Sequence, residues 1–381
     1  MIKRSSIVNP FKPTAGAEPP VLVGREKVID DFAAGLAEGV GARARLMRIT
    51  GPRGSGKTVL LTELGDMARE QGWQVVDETA APGLCDRIAR AACGDDIQGA
   101  YSLDVHMGVA DFRLEKQSAD SSSADFREAL SPRVRELTRQ HRGLLLTIDE
   151  VQDADSDEIR EIASAVQHFI REKSNIALVV AGLPMGVLDI VNGKARTFLR
   201  RALPEELGSI PIREVRAAMA ETFQKSGMVL RGEALRLVAE ATVGYAYLIQ
   251  LVGYEVWRCG KQHFEDSKEI TLEDAQRGIA VAMEDFYDAV HESAVADLPL
   301  RAVEYLLAMV PDDAVSSTGA VADRLGVPAS SLTSYRRLLI QRQIIESTAR
   351  GFVAFTIPYT REFLHERKPR LLARYGIAVE E

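Results

Sequence analysis

The chain has 381 residues, 46% of them apolar and 27% charged, which predicts two or three globular domains with sizeable cores. Its net charge of −8 excludes a protein that coats nucleic acid over its whole surface. The longest apolar stretch, IALVVAGLPMGVLDIV (176–191), is too short and broken to span a membrane, the N-terminus lacks the apolar core of a signal peptide, and Cys85, Cys93 and Cys259 form no metal or disulfide pattern. A cytoplasmic protein is expected.

In chain order, residues 1–20 are rich in Pro and small residues and read as an extended arm. Residues 30–39 have helical spacing. ARLMRIT (44–50) is a short apolar strand that runs into GPRGSGKT (51–58), and Leu60, Leu61 and Leu64 set one side of a helix over 57–71. WQVVDET (73–79) is a second strand and residues 84–93 a short helix. The Ser-rich stretch 114–125 reads as a surface loop, with a helix starting at Pro132 and running to His141. LLLTIDE (144–150) is a buried strand ending in two acids. A helix over 155–173, a strand over 175–182 and a last strand following KARTFLRRALPEEL (194–207) complete an alternating pattern. That alternation predicts a three-layer α/β domain with a parallel sheet over 21–210. Residues 211–293 read as all-α, and 294–381 as a compact module with a short β signal.

Three stretches carry chemistry. Gly51, Gly56, Lys57 and Thr58 satisfy G-x-x-x-x-G-K-[ST] between a strand and a helix, the context in which such a loop cradles phosphates. The segment Gly51, Pro52, Arg53, Gly54, Ser55, Gly56, Lys57, Thr58 and Val59 is the expected nucleotide loop. Its backbone N–H groups face the β-phosphate, Lys57 meets the β/γ oxygens, and Thr58 holds Mg²⁺. Asp149, at a strand end, is the second Mg²⁺ ligand, and Glu150 is placed to orient the water that attacks the γ-phosphate.

The third stretch is C-terminal. STGAVADRLGVPASSLTSYRRLLIQRQII (317–345) reads as helix–turn–helix, with Val321 and Leu325 on one apolar face and Leu332, Leu338 and Leu339 on the second. ESTARGFVAFTI (346–357) follows as two strands with Ala349-Arg350-Gly351 at the tip. Between Ser316 and Arg374 ten Lys and Arg face four Asp and Glu, a local basic surplus in an acidic chain. For double-stranded DNA, Ser330, Ser331, Ser334, Tyr335 and Arg337 on the second helix and Arg350 at the tip are the candidate contacts. A protein partner on the same module is the competing reading.

Taken together, VLVGRE (21–26), GPRGSGKT, LLLTIDEVQD (144–153) and VVAGLP (179–184) resemble the AAA+ and STAND branch of P-loop ATPases, in particular its origin-recognition and archaeal-ATPase groups. The likeness spans roughly residues 9–290. It implies that Val23, Gly24 and Arg25 help enclose adenine, that residues 211–293 form a helical lid, and that residues 294–381 form a winged helix. It also implies ATP as the nucleotide and self-association when ATP binds. An arginine finger, Arg200 or Arg201, would then reach into a neighbouring subunit's site. Two departures stand out. The polar sensor expected after NIALVV is Ala181-Gly182, and the lid stretch VGYAYLIQLVGYEVW (243–257) contains no arginine. Gly244-Tyr245-Ala246 resembles the G-x-P motif of STAND proteins with its proline lost, so Gly244, Tyr245 and Tyr247 would couple the lid. These departures imply slow turnover. The functions that follow are a DNA-acting ATPase of the replication-initiation or transposition type, or a slowly hydrolysing signalling switch.

Overall fold

The computed structural model describes residues 7–14, 16, 19, 22–94, 122–192, 196–265 and 267–377. These divide into two compact units. One contains the described residues of 24–51 and 56–208; the other contains those of 1–23, 52–55 and 209–381.

The first unit is a five-stranded parallel sheet with helices on its faces. Its strands are β1 (Leu46–Thr50), β2 (Gln74–Thr79), β3 (Leu144–Asp149), β4 (Ile176–Gly182) and β5 (Leu203–Glu206), in the order β2-β3-β4-β1-β5. β3 and β4 are buried at every residue, as central parallel strands covered on both faces must be. Around them lie α1 (Glu26–Glu38), α2 (Lys57–Glu70), α3 (Leu84–Cys93), α4 (Ser122–Arg139), α5 (Ser156–Arg171), α6 (Pro184–Asn192) and the single turn α7 (Arg196–Leu199). The core joins Leu144, Leu146 and Ile148 of β3 to Ile159, Ile162 and Phe169 of α5 and to Leu84 and Ile88 of α3.

Helix α4 corrects the sequence reading. It begins at Ser122, ten residues before the proline expected to start it, and Pro132 lies inside it. The missing N–H of Pro132 costs one helical hydrogen bond. The buried stripe Phe126, Leu130, Val134 and Leu137, at helical spacing on both sides of the proline, holds the helix through it. The last four residues of the Ser-rich stretch, 122–125, are therefore helical rather than loop; its earlier part lies outside the described residues.

In the second unit, α8 (Ile212–Lys225), α9 (Gly232–Ala241), α10 (Ala246–Lys261) and α11 (Leu272–Phe286) pack around Trp257, Phe223, Val252 and Phe286. Trp257 is buried here, and Tyr254 is half-buried against the same core. The N-terminal segment lies on α10. Asn9 Nδ2 donates to the Tyr254 carbonyl at 3.0 Å, and Phe11 is buried with its ring 5.2 Å from that of Phe223. A π-helical turn, Tyr287–Glu292, and the short α12 (Ser293–Val295) follow.

The C-terminal module then runs α13 (Leu300–Met309), β6 (Ser316–Ser317), α14 (Thr318–Arg324), a 3₁₀ turn Ala329–Leu332, α15 (Thr333–Gln341), β7 (Ile345–Ala349), β8 (Phe352–Phe355) and α16 (Thr360–Ala373). Its three strands form an antiparallel sheet in the order β6-β8-β7. Val321, Leu332 and Leu339 enter its core, with Leu325 and Leu338 packed against it.

Candidate nucleotide site

The strand order sets the geometry. β1, β4 and β3 are consecutive neighbours, so Thr50, Gly182 and Asp149 end on one edge of the sheet. This carboxyl edge is where open α/β sheets bind ligands. From β1 the chain enters the loop 51–58, in which Gly54 (φ +71°) and Gly56 (φ +89°) are left-handed, a conformation costly for any residue with a Cβ. Gly56 caps α2 and turns the helix N-terminus toward the loop. Val59 is half-buried in its first turn.

Lys57 is buried, and its Nζ donates to the Gly51 carbonyl at 3.1 Å, which folds the side chain back along the loop. Thr58 Oγ1 donates to Asp149 Oδ2 at 2.5 Å, while Asp149 Oδ1 accepts from the Glu150 amide at 2.8 Å. The hydroxyl of α2 and the carboxylate of β3 are thus brought together from residues 91 apart in sequence. An exposed hydroxyl beside a buried carboxylate is a hard oxygen donor set, and it suits Mg²⁺. Glu150 follows directly, in a left-handed conformation (φ +49°) as the cap of the 3₁₀ turn Val151–Asp153. A non-glycine residue held there is strained, a state that persists only where its surroundings enforce it.

The Glu150 side chain has a partner that the sequence does not announce. Gln152 Nε2 donates to Glu150 Oε2 at 2.6 Å, and Gln152 Oε1 accepts from the Leu183 amide at 3.0 Å. Gln152 is visible in the sequence only as a polar residue after two acids; its second partner is visible only once β3 and β4 are known to be adjacent.

The remaining expected residues are placed as follows. Arg25 is buried at the cap of α1, and its guanidinium donates to the carbonyls of Gly24 at 3.2 Å and Gly208 at 3.1 Å. Burial lowers its pKa from the usual arginine value. Gly24 N donates to Glu26 Oε1 at 3.2 Å, and Val23 packs at the edge of the helical core of the other unit. Arg200 and Arg201 are exposed in the turn between α7 and β5. Within the second unit, Tyr245 Oη donates to the Arg53 carbonyl and Tyr247 N donates to the Gly54 carbonyl at 3.2 Å. Burial raises the Tyr245 phenol pKa and keeps it a donor.

On the C-terminal module, Ser334 and Arg337 are exposed on α15, and Arg350 is exposed at the β7–β8 tip. Tyr335 is half-buried and packs on the module core. Ser330 and Ser331 do not lie on the second helix as expected but on the 3₁₀ turn before it, because the helix proper starts only at Thr333. Both are exposed there.

A parallel α/β sheet carrying a G-x-x-x-x-G-K-T loop after β1 and an acidic pair after β3 defines a P-loop nucleotide-binding fold of the AAA+ group. Residues 21–180 match the family described as AAA ATPase domain. Residues 288–364 match a second family, described as Domain of unknown function (DUF8462). No curated protein matches the sequence. Solved structures share the fold at low identity. A Walker-type ATPase of Pyrococcus abyssi aligns with a TM-score of 0.61 and 14% identity over 90% of this chain and 96% of its own. The ORC2 protein of Aeropyrum pernix, solved in ADPNP and ADP complexes, aligns with a TM-score of 0.59 and 13% identity over 96% and 98%. Among the described residues no helix is long and apolar enough to cross a membrane.

Proposed function

We propose that the chain is a Mg²⁺-dependent ATPase that uses its nucleotide state to control self-association and the grip of its C-terminal module on double-stranded DNA. The observation that carries the reading is the Thr58–Asp149–Glu150 arrangement at the mouth of the phosphate loop. In this reading residues 51–59 hold the phosphates and Val23, Gly24 and Arg25 border the base. Thr58 and Asp149 hold Mg²⁺, which when bound screens the phosphate charge. Lys57 leaves the Gly51 carbonyl for the β/γ oxygens, and the Glu150 carboxylate orients and deprotonates the attacking water. Arg200 or Arg201 serves a neighbouring copy's site, a contribution of about 10³–10⁵ in rate where such fingers act. We assign residues 1–20 to an arm, 21–210 to the ATPase domain, 211–293 to a lid and 294–381 to a winged helix working in the cytoplasm. The order α13-β6-α14-α15-β7-β8 supports the last assignment.

The Tyr245 hydrogen bond to the Arg53 carbonyl favours a second reading, a slowly hydrolysing switch whose C-terminal module takes a protein partner. Salt-dependent binding to duplex DNA separates the two.

Glu150→Gln tests the hydrolytic assignment. It is expected to retain ATP affinity while turnover falls by about 10²–10⁴, read by phosphate release beside labelled-nucleotide binding. Unchanged turnover in that variant removes Glu150 from the role. Sedimentation of the same variant with labelled duplex, with and without Mg-ATP, tests assembly and DNA together. ATP-dependent complexes that carry the duplex are expected, whereas a monomer that binds ATP and ignores DNA moves the reading to the switch.

A further inference from the structure

We propose that Gln152 is a positioning residue that holds the Glu150 carboxylate in its working orientation, with the end of β4 as the fixed anchor. The inference rests on the hydrolytic reading above.

Three observations converge on this side chain. First, its amide bridges two groups of opposite hydrogen-bonding sense: the carboxylate of Glu150 at 2.6 Å and the backbone amide of Leu183 at 3.0 Å. A carboxylate only accepts and a backbone amide only donates. The orientation of the Gln152 amide is therefore forced, with oxygen toward Leu183 and nitrogen toward Glu150. Second, the space it occupies exists because two neighbours are glycines. A Cβ on Gly182 would stand 2.6 Å from Gln152 Oε1, and one on Gly186 would come closer still to Gln152 Cβ. Third, Ala181 and Gly182 bring no polar side-chain atom to the end of β4; through Gln152, the strand's next backbone amide acts on the carboxylate instead.

The chemistry explains why an amide suits this place. Glu150 sits just after the strand, at the cap of a short 3₁₀ turn, so its backbone leaves the carboxylate free to rotate. A neutral donor fixes that rotation without the positive charge that would quench a base. An acid at 152 would repel the Glu150 carboxylate and present a second acceptor, and a lysine would neutralise it. Anchoring to β4 rather than to the turn matters because β4 is buried at every residue and paired on both edges. Misplacement of a reacting group by about 1 Å can cost about 10² in rate.

The test uses the full chain in three variants: Gln152→Met, which keeps length and volume without the amide; Gly182→Ala, which leaves Gln152 in the sequence but takes its space; and the two combined. Mg-ATP turnover and labelled-ATP affinity are measured for each. Gln152→Met is expected to lose roughly 10- to 100-fold in kcat with ATP affinity unchanged. Gly182→Ala should show the same split, and the double variant should be no slower than the slower single, since both changes break one linkage. Wild-type turnover in Gln152→Met overturns the proposal. So do parallel losses of affinity and turnover, which mark a merely structural side chain, and so does strict additivity of the two changes. A wild-type chain that binds ATP without hydrolysing it instead overturns the hydrolytic reading, and with it the role of Gln152.

Discussion

At the carboxyl edge of the five-stranded sheet, charged groups are buried and partnered. Lys57 bonds to the Gly51 carbonyl, and Asp149 accepts from both Thr58 and Glu150. On the C-terminal module the opposite holds: Ser330, Ser334, Arg337 and Arg350 stand exposed. The difference follows from solvation. A buried polar group must find a partner or lose several kcal/mol of hydration, so the edge has a defined geometry before any ligand arrives. Exposed cations keep their water. They gain from a polyanion chiefly by releasing its counterions, so that face is defined by how many charges it carries more than by where each one points.

The largest effect that sharpens this comparison is expected from Lys57→Ala. The variant removes a buried cation and leaves the Gly51 carbonyl without that donor, so ATP affinity should fall by roughly 10², measured by titration with a labelled analogue. Full affinity in that variant would remove the phosphate loop from the nucleotide reading. On the exposed face, Arg337→Ala and Arg350→Ala are each expected to lower the slope of log affinity against log salt for duplex DNA by about one. Melting temperature should barely move, since exposed substitutions lie within about ±0.5 kcal/mol. A change confined to one DNA sequence would instead make that arginine a base reader.

The same contrast explains what could be read without coordinates. The loop 51–58 and the pair Asp149-Glu150 are short stretches whose function is written in consecutive residues, each entered from a mostly apolar strand. Gln152 was illegible because its meaning depends on Leu183, 31 residues away, and on β3 and β4 being neighbours. Pro132 misled because proline is a common helix opener while the stripe from Phe126 to Leu137 overrides it. The docking of Phe11 on α10 was hidden for a similar reason. Gly253 leaves the slot for its ring, and nothing in a Pro-rich arm announces a contact some 240 residues distant.

The smallest predicted effect lies inside the C-terminal half and breaks the division between a partnered edge and a solvated face. His291, on the π-helical turn, is buried against Phe286 and stacked on Phe363 at 4.9 Å, and its Nε2 donates to the Pro358 carbonyl at 2.9 Å. Burial lowers its pKa from 6.5 to about 4. The folded state thus holds a neutral ring where the unfolded chain takes up a proton. Stability from this group is fully present above about pH 6.5 and is withdrawn as pH falls toward 4, because the unfolded state then binds more protons. His291→Gln keeps a donor for Pro358 but cannot titrate. It is expected to melt lower than the wild type at pH 7.5, having lost the aromatic stack, yet to lose less on moving to pH 4.5. A thermal melt of both proteins at the two pH values measures the difference. Equal losses would mean that the carboxylates, Asp312 among them with its pKa drawn down to about 2 by hydrogen bonding to Arg324, govern the acid response, and that the buried ring serves packing alone.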